Sequence, residues 1–326
     1  MAIITTDINL ALCELQQGNV IAIPTETVYG LAADATNEDA VKKIFAIKQR
    51  PLNHPLIMHV CHDWDLNQWV KNIPHYAQEL MIRFWPGALT LVFNCKSNVI
   101  QPLVNGGQDT IAIRAPNHPL TEHLLRTLNR PLVAPSANPF GQISPTTAQH
   151  VAESFPDDNF LILDGGRCNI GIESSIILAT DDNEYCILRP GMLDLKDIGN
   201  GLIDQPTAAQ LLPRVSGQLE THYQPHKKLY YVDDWQQFDD ISSSLPTSIY
   251  TISLTNWPRN NLALHHQLPN DPKMVAYQFY HQLRYADLSE AAVIVIELPP
   301  NDTMWQAIRD KIVKAGKRLT TEHFFY

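Results

Sequence analysis

Along the first ~200 residues, apolar positions gather in short runs, and the stretches between them place apolar residues at helical spacing. The runs predict strands at residues 20–23, 56–60, 89–93, 110–114, 132–134, 161–163, 175–178 and 187–189. The opening segment "MAIITTDINLALCELQQG" reads as an amphipathic helix, with Thr6 or Asp7 as its N-cap and Gly18 as its stop. A second helix is expected in "TNEDAVKKIFAIKQR", which opens like a capping box at Thr36 and Asp39 and spaces Val41, Ile44 and Phe45 along one face. Eight strands with few helices between them predict an α/β fold on a twisted mixed sheet, not a strict alternation of strand and helix.

Turn formers and polar residues crowd "QPTAAQLLPRVSGQLETHYQPHKK", which marks residues 205–228 as a linker. Beyond it, "KLYYV", "TSIYTISL" and "AAVIVIELP" read as strands, while "DPKMVAYQFYHQLRYADLS" and the stretch near 305–315 read as helices. The expected organisation is a first domain over residues 1–204, the linker, and a smaller α/β domain with a partly parallel sheet over 229–326.

Composition narrows the class. The chain has 326 residues, 44% hydrophobic and 18% charged, enough to bury two cores. No apolar run is long enough to span a bilayer, and the N-terminus lacks the basic start and long apolar centre of a signal peptide. Cys13, Cys61, Cys95, Cys168 and Cys186 are scattered with no C-x-x-C pair, which suits a reducing cytoplasm and no membrane. The net charge of −10 argues against a broad nucleic-acid surface, so any anionic ligand must be held by a few placed cations. Neither common glycine-rich phosphate loop occurs, nor a metal signature; His59 and His62 stand alone without a third ligand, so no metal site is expected.

Polar clusters follow the predicted strands. Thr25, Glu26, Thr27 and Tyr29 come directly after the apolar "IAI" run. In "KQRPLNHPLIMHV", Lys48 and Arg50 end a helix, a placement that also merely caps it, and His59 lies on the next strand. Arg114 closes "TIAIRAP", where its planar fork suits either a surface ion pair or a carboxylate or phosphate. Ser136 and Asn138 sit in the rigid loop "LVAPSANPFGQISPTT", able to bind a ligand or to satisfy the loop's own backbone. "GIESSII" and "ILRPG", with Arg189, complete the set. Together the six clusters predict a donor-rich pocket on one face of the sheet.

The blocks "PTETVYGLAADA", "KQRPLNHPLIMHV", "FWPGALTLVF", "IAIRAP", "APSANPFGQISPTT", "DGG" with "GIESSII", and "LRPG" together resemble the YrdC-like threonylcarbamoyl-AMP synthases. The similarity runs in order through residues ~8–195, and the tail resembles the additional C-terminal domain, Rossmann-like, of the longer branch. The resemblance implies a nucleotidyl transfer from L-threonine, bicarbonate and ATP to threonylcarbamoyl-AMP and pyrophosphate, the first step of threonylcarbamoyladenosine formation beside the tRNA anticodon. It implies Mg²⁺ carried mainly on the phosphates, and a separate transferase complex that takes the product, with weak or no direct tRNA binding. The first domain is then the catalytic one and the linker a lid.

Carried onto this chain, the resemblance implies that Lys48 and Arg50 lie along the phosphates as catalytic cations. Thr27, His59, Arg114, Ser136 and Ser174 fall at threonine-contacting positions, Arg114 through the carboxylate. Thr110, Asn138, Ser144 or its neighbour Thr146, Arg189 and His54 fall at nucleotide positions. Ser216 and the His222–Tyr223 pair match the lid. Three departures stand out: His54 replaces the family's asparagine, Ser216-Gly217-Gln218 replaces Ser-Pro-Gly, and Ser175 replaces a frequent threonine. The competing class is an RNA-binding or ribosome-maturation module, which the acidic balance and the lack of clustered aromatics with Lys or Arg disfavour. A carbamoyl-transfer domain of a hydrogenase-maturation enzyme would bring acylphosphatase and zinc-finger segments, which the sequence does not show.

Overall fold

Asp7 opens the first helix: its side chain accepts from the Asn9 amide at 2.8 Å, the helix runs Ile8–Gln16, and Gly18 leaves it at φ +74°. The computed structural model describes residues 2–181, 184–193, 212–217, 222–235, 238, 248–255 and 264–320. The second helix, Glu38–Lys48, starts one residue later than the capping-box reading expects. Asn37 is the N-cap and accepts from the Asp39 and Ala40 amides, while Thr36 donates instead to Asp34 Oδ1 at 2.6 Å. Asn37 wins because Thr36 is already spent in the turn that follows Asp34.

The chain separates into two compact units, Met1–Phe140 with Ser144–Gln218, and Gly141–Ile143 with Leu219–Tyr326. Of the predicted linker, residues 205–211 and 218–221 lie outside the described residues, as does the boundary at 204.

The first unit holds ten strands: β1 Ile3–Thr5, β2 Ile21–Ile23, β3 Gly30–Asp34, β4 Ile57–His59, β5 Leu89–Asn94, β6 Thr110–Arg114, β7 Leu132–Val133, β8 Leu161–Leu163, β9 Ser175–Leu178 and β10 Cys186–Arg189. They form one mixed sheet in the order β1-β8-β2-β3-β7-β4-β6-β5-β9-β10. β1 and β3 are additions to the sequence reading. β1 is short and precedes a cap, and β3 (GLAAD) is too poor in β-branched residues to declare itself, yet it pairs antiparallel with both β2 and β7.

Alternation along the strands sorts the two faces. Ile21, Ile23, Ala32 and Leu163 pack with Leu12, Leu15 and Leu125 of the helices Ile8–Gln16 and Pro119–Leu128. The opposite residues Ala22, Leu31 and Ala33 join the main core with Ile44 and Phe45. In the other half of the sheet, Met58, Ile111, Ile113, Leu91, Phe93 and Ile177 enter that same core. Their alternates Ile57, Ala112, Val92, Ile176 and Leu178 form a separate apolar patch that Val215 joins. By the two-residue period, His59, Thr110, Arg114 and Thr90 share the face of this second patch.

The second unit carries β11 Lys228–Val232, β12 Ile249–Ser253, β13 His265–Gln267, β14 Val293–Glu297 and β15 Lys317–Arg318, in the order β13-β12-β14-β11-β15. Every pairing among them is parallel, where the sequence led us to expect a partly parallel sheet. The helices Pro272–Leu288 and Gln306–Ala315 act as crossovers that bring the chain back to the end at which the strands start, so parallel pairing follows. At the carboxyl end of β14, Glu297 is buried and accepts from Trp235 Nε1, the Leu254 and Thr255 amides and Thr255 Oγ1 at 2.7–2.9 Å.

Candidate anion-binding site

Parallel pairing of β4 with β6 sets His59 opposite Arg114, and antiparallel pairing of β6 with β5 sets Arg114 opposite Thr90. Two cross-strand neighbours of Arg114 are thereby polar. Its own fork is anchored: Nη2 donates to Glu26 Oε1 at 2.6 Å and Nε to the Gly87 carbonyl at 3.4 Å. The second oxygen of Glu26 accepts from the Asn117 amide at 3.0 Å. Both side chains of the pair are buried.

The turn before β3 explains its density of hydroxyls. Thr25 Oγ1 donates to the Val28 carbonyl at 2.7 Å and accepts from the Thr27 and Val28 amides. With its proton spent there, Thr25 is the acceptor in its 2.9 Å contact with Thr27 Oγ1. Thr25 thus shapes the turn, and Thr27, fully buried, is held beside it. Gly30 is required where β3 begins against the chain leaving β7, because a Cβ there would stand 2.9 Å from the Ala134 Cβ.

His59 lies wholly inside. Its Nδ1 is 3.1 Å from the Ile57 carbonyl, which only accepts, so Nδ1 carries the proton and Nε2 presents a lone pair. Burial first, and the Arg114 charge second, push its pKa down to about 3, so it is neutral at physiological pH.

Lys48 is the last residue of its helix and points into the loop after β7, where Nζ donates to the Ser136 and Asn138 carbonyls. Burial, with Arg50 as a lesser cause, holds its amine well below the usual lysine range. Arg50 Nη2 donates to the Pro55 carbonyl at 2.8 Å, and its guanidinium lies 5.4 Å from the centre of the Phe140 ring. His54 meets the same ring edge-on at 5.1 Å, so the imidazole at this departing position packs on Phe140. Burial lowers the Arg50 pKa to about 10, which leaves it charged at neutral pH.

Arg189 ties a third group together. Its Nε and Nη2 donate to the carbonyl and hydroxyl of Ser174 at 3.0 and 3.1 Å, and Nη1 donates to the Ser216 carbonyl at 3.0 Å. Ser174 Oγ also lies 2.8 Å from Thr90 Oγ1. The close approach depends on Gly191, where a Cβ would fall 2.3 Å from the Ser175 nitrogen. Ser144 donates to Glu173 Oε1 at 2.6 Å. The Thr146 amide donates to His150 Nδ1, which makes Thr146 Oγ1 the donor in its own 3.3 Å contact with that nitrogen.

Residues 212–217 are fastened to the same unit. The Arg214 amide and carbonyl pair with both ends of the Gln108 side-chain amide at 2.7 and 3.1 Å, and Arg214 Nη2 reaches the Gly106 carbonyl at 2.8 Å. Beside them a cleft of about 630 Å³ is lined by Asn94, Asp109, Thr110, Thr180, Asp181 and Arg214, among others. Of the proposed nucleotide residues only Thr110 reaches this cleft.

The first unit therefore gathers Arg114, His59, Ser174 and Arg189 through β4, β5, β6 and β9, with Lys48, Arg50, His54, Ser136 and Asn138 around one loop. Tyr223 belongs to the second unit, buried, with its ring against His222 and Lys311. Sequence reasoning did not single out Thr90, noted Glu173 only as the acid of "GIESSII", and gave Glu26 no partner. Thr90 has a legible signal, since it alternates with Val92 in "LTLVF". Glu173 and Phe140 have none, because their roles arise from contacts between loops.

The charge balance of this interior is uneven. Lys48, Arg50, Arg114 and Arg189 are all at least 94% buried, yet among the described residues only Arg114 has a carboxylate within ion-pair distance. Buried cations without counter-ions are costly unless an anion arrives to meet them. Among the described residues no three His, Cys, Asp or Glu side chains gather as a metal site, and no helix is long and apolar enough to cross a membrane.

Comparison with known proteins accounts for both units. The sequence profile described as telomere recombination matches residues 13–191, and the profile described as the threonylcarbamoyl-AMP synthase C-terminal domain matches residues 191–316. A threonylcarbamoyl-AMP synthase of Bacillus subtilis is 36% identical over 326 residues, spanning 93% of this chain and 90% of its own. One from Pyrococcus abyssi is 46% identical over 191 residues, spanning 59% of this chain and 56% of its own. A solved Pyrococcus abyssi structure with L-threonine bound superposes with a TM-score of 0.83 at 30% identity, covering 97% of this chain and 99% of that one. The chain thus belongs to the YrdC-like threonylcarbamoyl-AMP synthase family, in its two-domain form.

Proposed function

We propose that the protein condenses L-threonine, bicarbonate and ATP to threonylcarbamoyl-AMP and pyrophosphate, a nucleotidyl transfer that begins threonylcarbamoyladenosine formation in tRNA. The observation that carries this reading is the set of buried basic side chains, three of them lacking a carboxylate partner among the described residues. Such a set suits reactants that bring several negative charges.

In this reading threonine lies at the polar end of the face that carries the second apolar patch. Its carboxylate meets Arg114, and its neighbours are Thr27, the His59 lone pair, Ser136 and Ser174. The threonine ammonium and bicarbonate combine to a carbamate, water and a proton. A carbamate oxygen then attacks the α-phosphorus of ATP, and the bond to pyrophosphate breaks. Lys48 and Arg50 would hold the phosphates, with Thr110, Asn138, Ser144 or Thr146, Arg189 and Ser216 as further nucleotide contacts. The apolar patch of Ile57, Ala112, Val92 and Ile176 offers a dry floor for the base. Mg²⁺ bound to the phosphates would neutralise charge there, and the described carboxylates offer it no dedicated cluster.

Because the carbamate is already anionic, placement rather than proton abstraction supplies the rate, worth up to ~7–11 kcal/mol in favourable cases. The names carried by the relatives favour this chemistry over an RNA-binding module. The product would pass to a separate tRNA threonylcarbamoyl transferase complex, so tight tRNA binding is not needed. Purified protein given ATP, Mg²⁺ and bicarbonate should release pyrophosphate only when L-threonine is added; threonine-independent release, or none, would overturn the reading.

A further inference from the structure

We infer that Lys48 rests as a neutral amine in the empty site and takes up one proton as ATP binds. The inference rests on the proposed function, in which Lys48 meets the phosphates.

Counting hydrogen bonds leads to it. An ammonium offers three donors and a neutral amine two. Lys48 Nζ finds two acceptors, the carbonyls of Ser136 and Asn138. Both come from one rigid loop that also docks on the helix end, where the Phe140 amide donates to the Lys48 carbonyl at 2.9 Å. A third proton has no acceptor among the described residues, and the side chain is 99% buried. No carboxylate among the described residues lies within ion-pair distance of it.

The surrounding charge points the same way. Arg50, two residues on, is the charged group that acts on Lys48, and it repels a second cation. From the loop after β7 the groups that meet Nζ are neutral carbonyls. Burial without a counter-ion favours the uncharged amine, the direction the depressed pKa of this group also takes. Arg50 keeps its charge, having the higher intrinsic pKa and a delocalised guanidinium. A triphosphate supplies both missing elements, negative charge and a third acceptor. Its arrival raises the Lys48 pKa, and the proton comes from solvent.

The test is calorimetry of MgATP binding to the full chain at pH 8 and pH 9, in buffers of different ionisation enthalpy, without threonine, whose own ammonium titrates in this range. MgATP itself does not titrate there, and His59 is already neutral. About one proton should be taken up per ATP, and the affinity should fall about tenfold per pH unit within the window between the empty-site and occupied-site pKa values. Lys48→Arg, whose side chain stays charged, should bind ATP with no proton uptake. Should that variant not fold, the wild-type protein labelled with ¹⁵N at the lysine Nζ should show one amine resonance that moves to the ammonium position on adding ATP. ATP binding without proton uptake overturns the inference and leaves the proposed function standing. Uptake retained by Lys48→Arg assigns the proton elsewhere and also overturns it. No ATP binding under any condition removes the proposed function and the inference together.

Discussion

Arg114 and Glu26 lock each other in place: one guanidinium nitrogen meets one carboxylate oxygen at 2.6 Å, with neither side chain more than 7% exposed. The partners stand 88 residues apart in sequence, one at the end of β6 and one in the turn after β2. Glu26 spends its other oxygen on the Asn117 amide, so it fixes the start of the next segment as well. A carboxylate in an anion site looks out of place. Its effect here is to set the direction of the fork while leaving the Arg50 and Arg189 charges uncompensated.

Removing the carboxylate should therefore cost stability. Glu26→Ala leaves a buried guanidinium unpaired and strips the Asn117 amide of its acceptor, a loss of about 3–5 kcal/mol. Urea unfolding at pH 7 measures it. A change below about 1 kcal/mol would mean that water already shares the pair.

Arg114→Lys keeps the charge but not the fork. A point ammonium cannot hold both Glu26 and a threonine carboxylate in one plane. Loss of one charge-assisted hydrogen bond, about 1.5–3 kcal/mol, corresponds to a fall of about 10- to 150-fold in threonine affinity. ATP affinity should stay within about threefold, since the proposed phosphate contacts are Lys48 and Arg50. Calorimetry with each ligand separates the two, and equal loss of both would show that the assignment is wrong.

The Gln108 side chain grips the Arg214 backbone through its two amide ends. Gln108→Ala should release residues 212–217 and raise their amide hydrogen exchange by about tenfold, the equivalent of about 1.4 kcal/mol from two exposed bonds. Global stability should change by less than about 1 kcal/mol, because the contact is on the surface. Unchanged exchange at Arg214 would mean that the Arg214–Gly106 and Arg189–Ser216 bonds and Val215, packed in the apolar patch, hold the segment without Gln108.

Much of this was legible in the chain. All eight expected strands form, because three- to five-residue apolar runs between turn signals leave few alternatives. β3 was hidden by its alanines, which are neutral to strand formation until neighbours cover them on both sides. At the site, residue types were readable and their partners were not. Alternation places Thr110, Ala112 and Arg114 on one face, but nothing local tells that Glu26 will meet Arg114 or that Ser216 will meet Arg189. Such pairs span 88 and 27 residues, and they depend on strand order, which the hydrophobic pattern leaves open.

His59 provides a pH signature. Its pKa falls from the ordinary imidazole value near 6.5 to about 3 in the fold, driven first by burial and then by Arg114. A base with a depressed folded pKa contributes its full stability above the unfolded value and loses it as pH drops, because the unfolded chain takes the proton first. The window is pH 6.5 down to about 3. Within it, one such group costs up to about 1.4 kcal/mol per pH unit. His59→Asn keeps an amide donor for the Ile57 carbonyl and removes the titration. Between pH 7 and pH 5 the wild type should then lose about 2 kcal/mol more than the variant in urea unfolding. The carboxylates that also titrate near pH 4–5 cancel in the difference between the two proteins. Parallel losses would show that His59 is hydrated or already protonated in the folded protein, and the neutral Nε2 acceptor assigned to the threonine pocket would go with it.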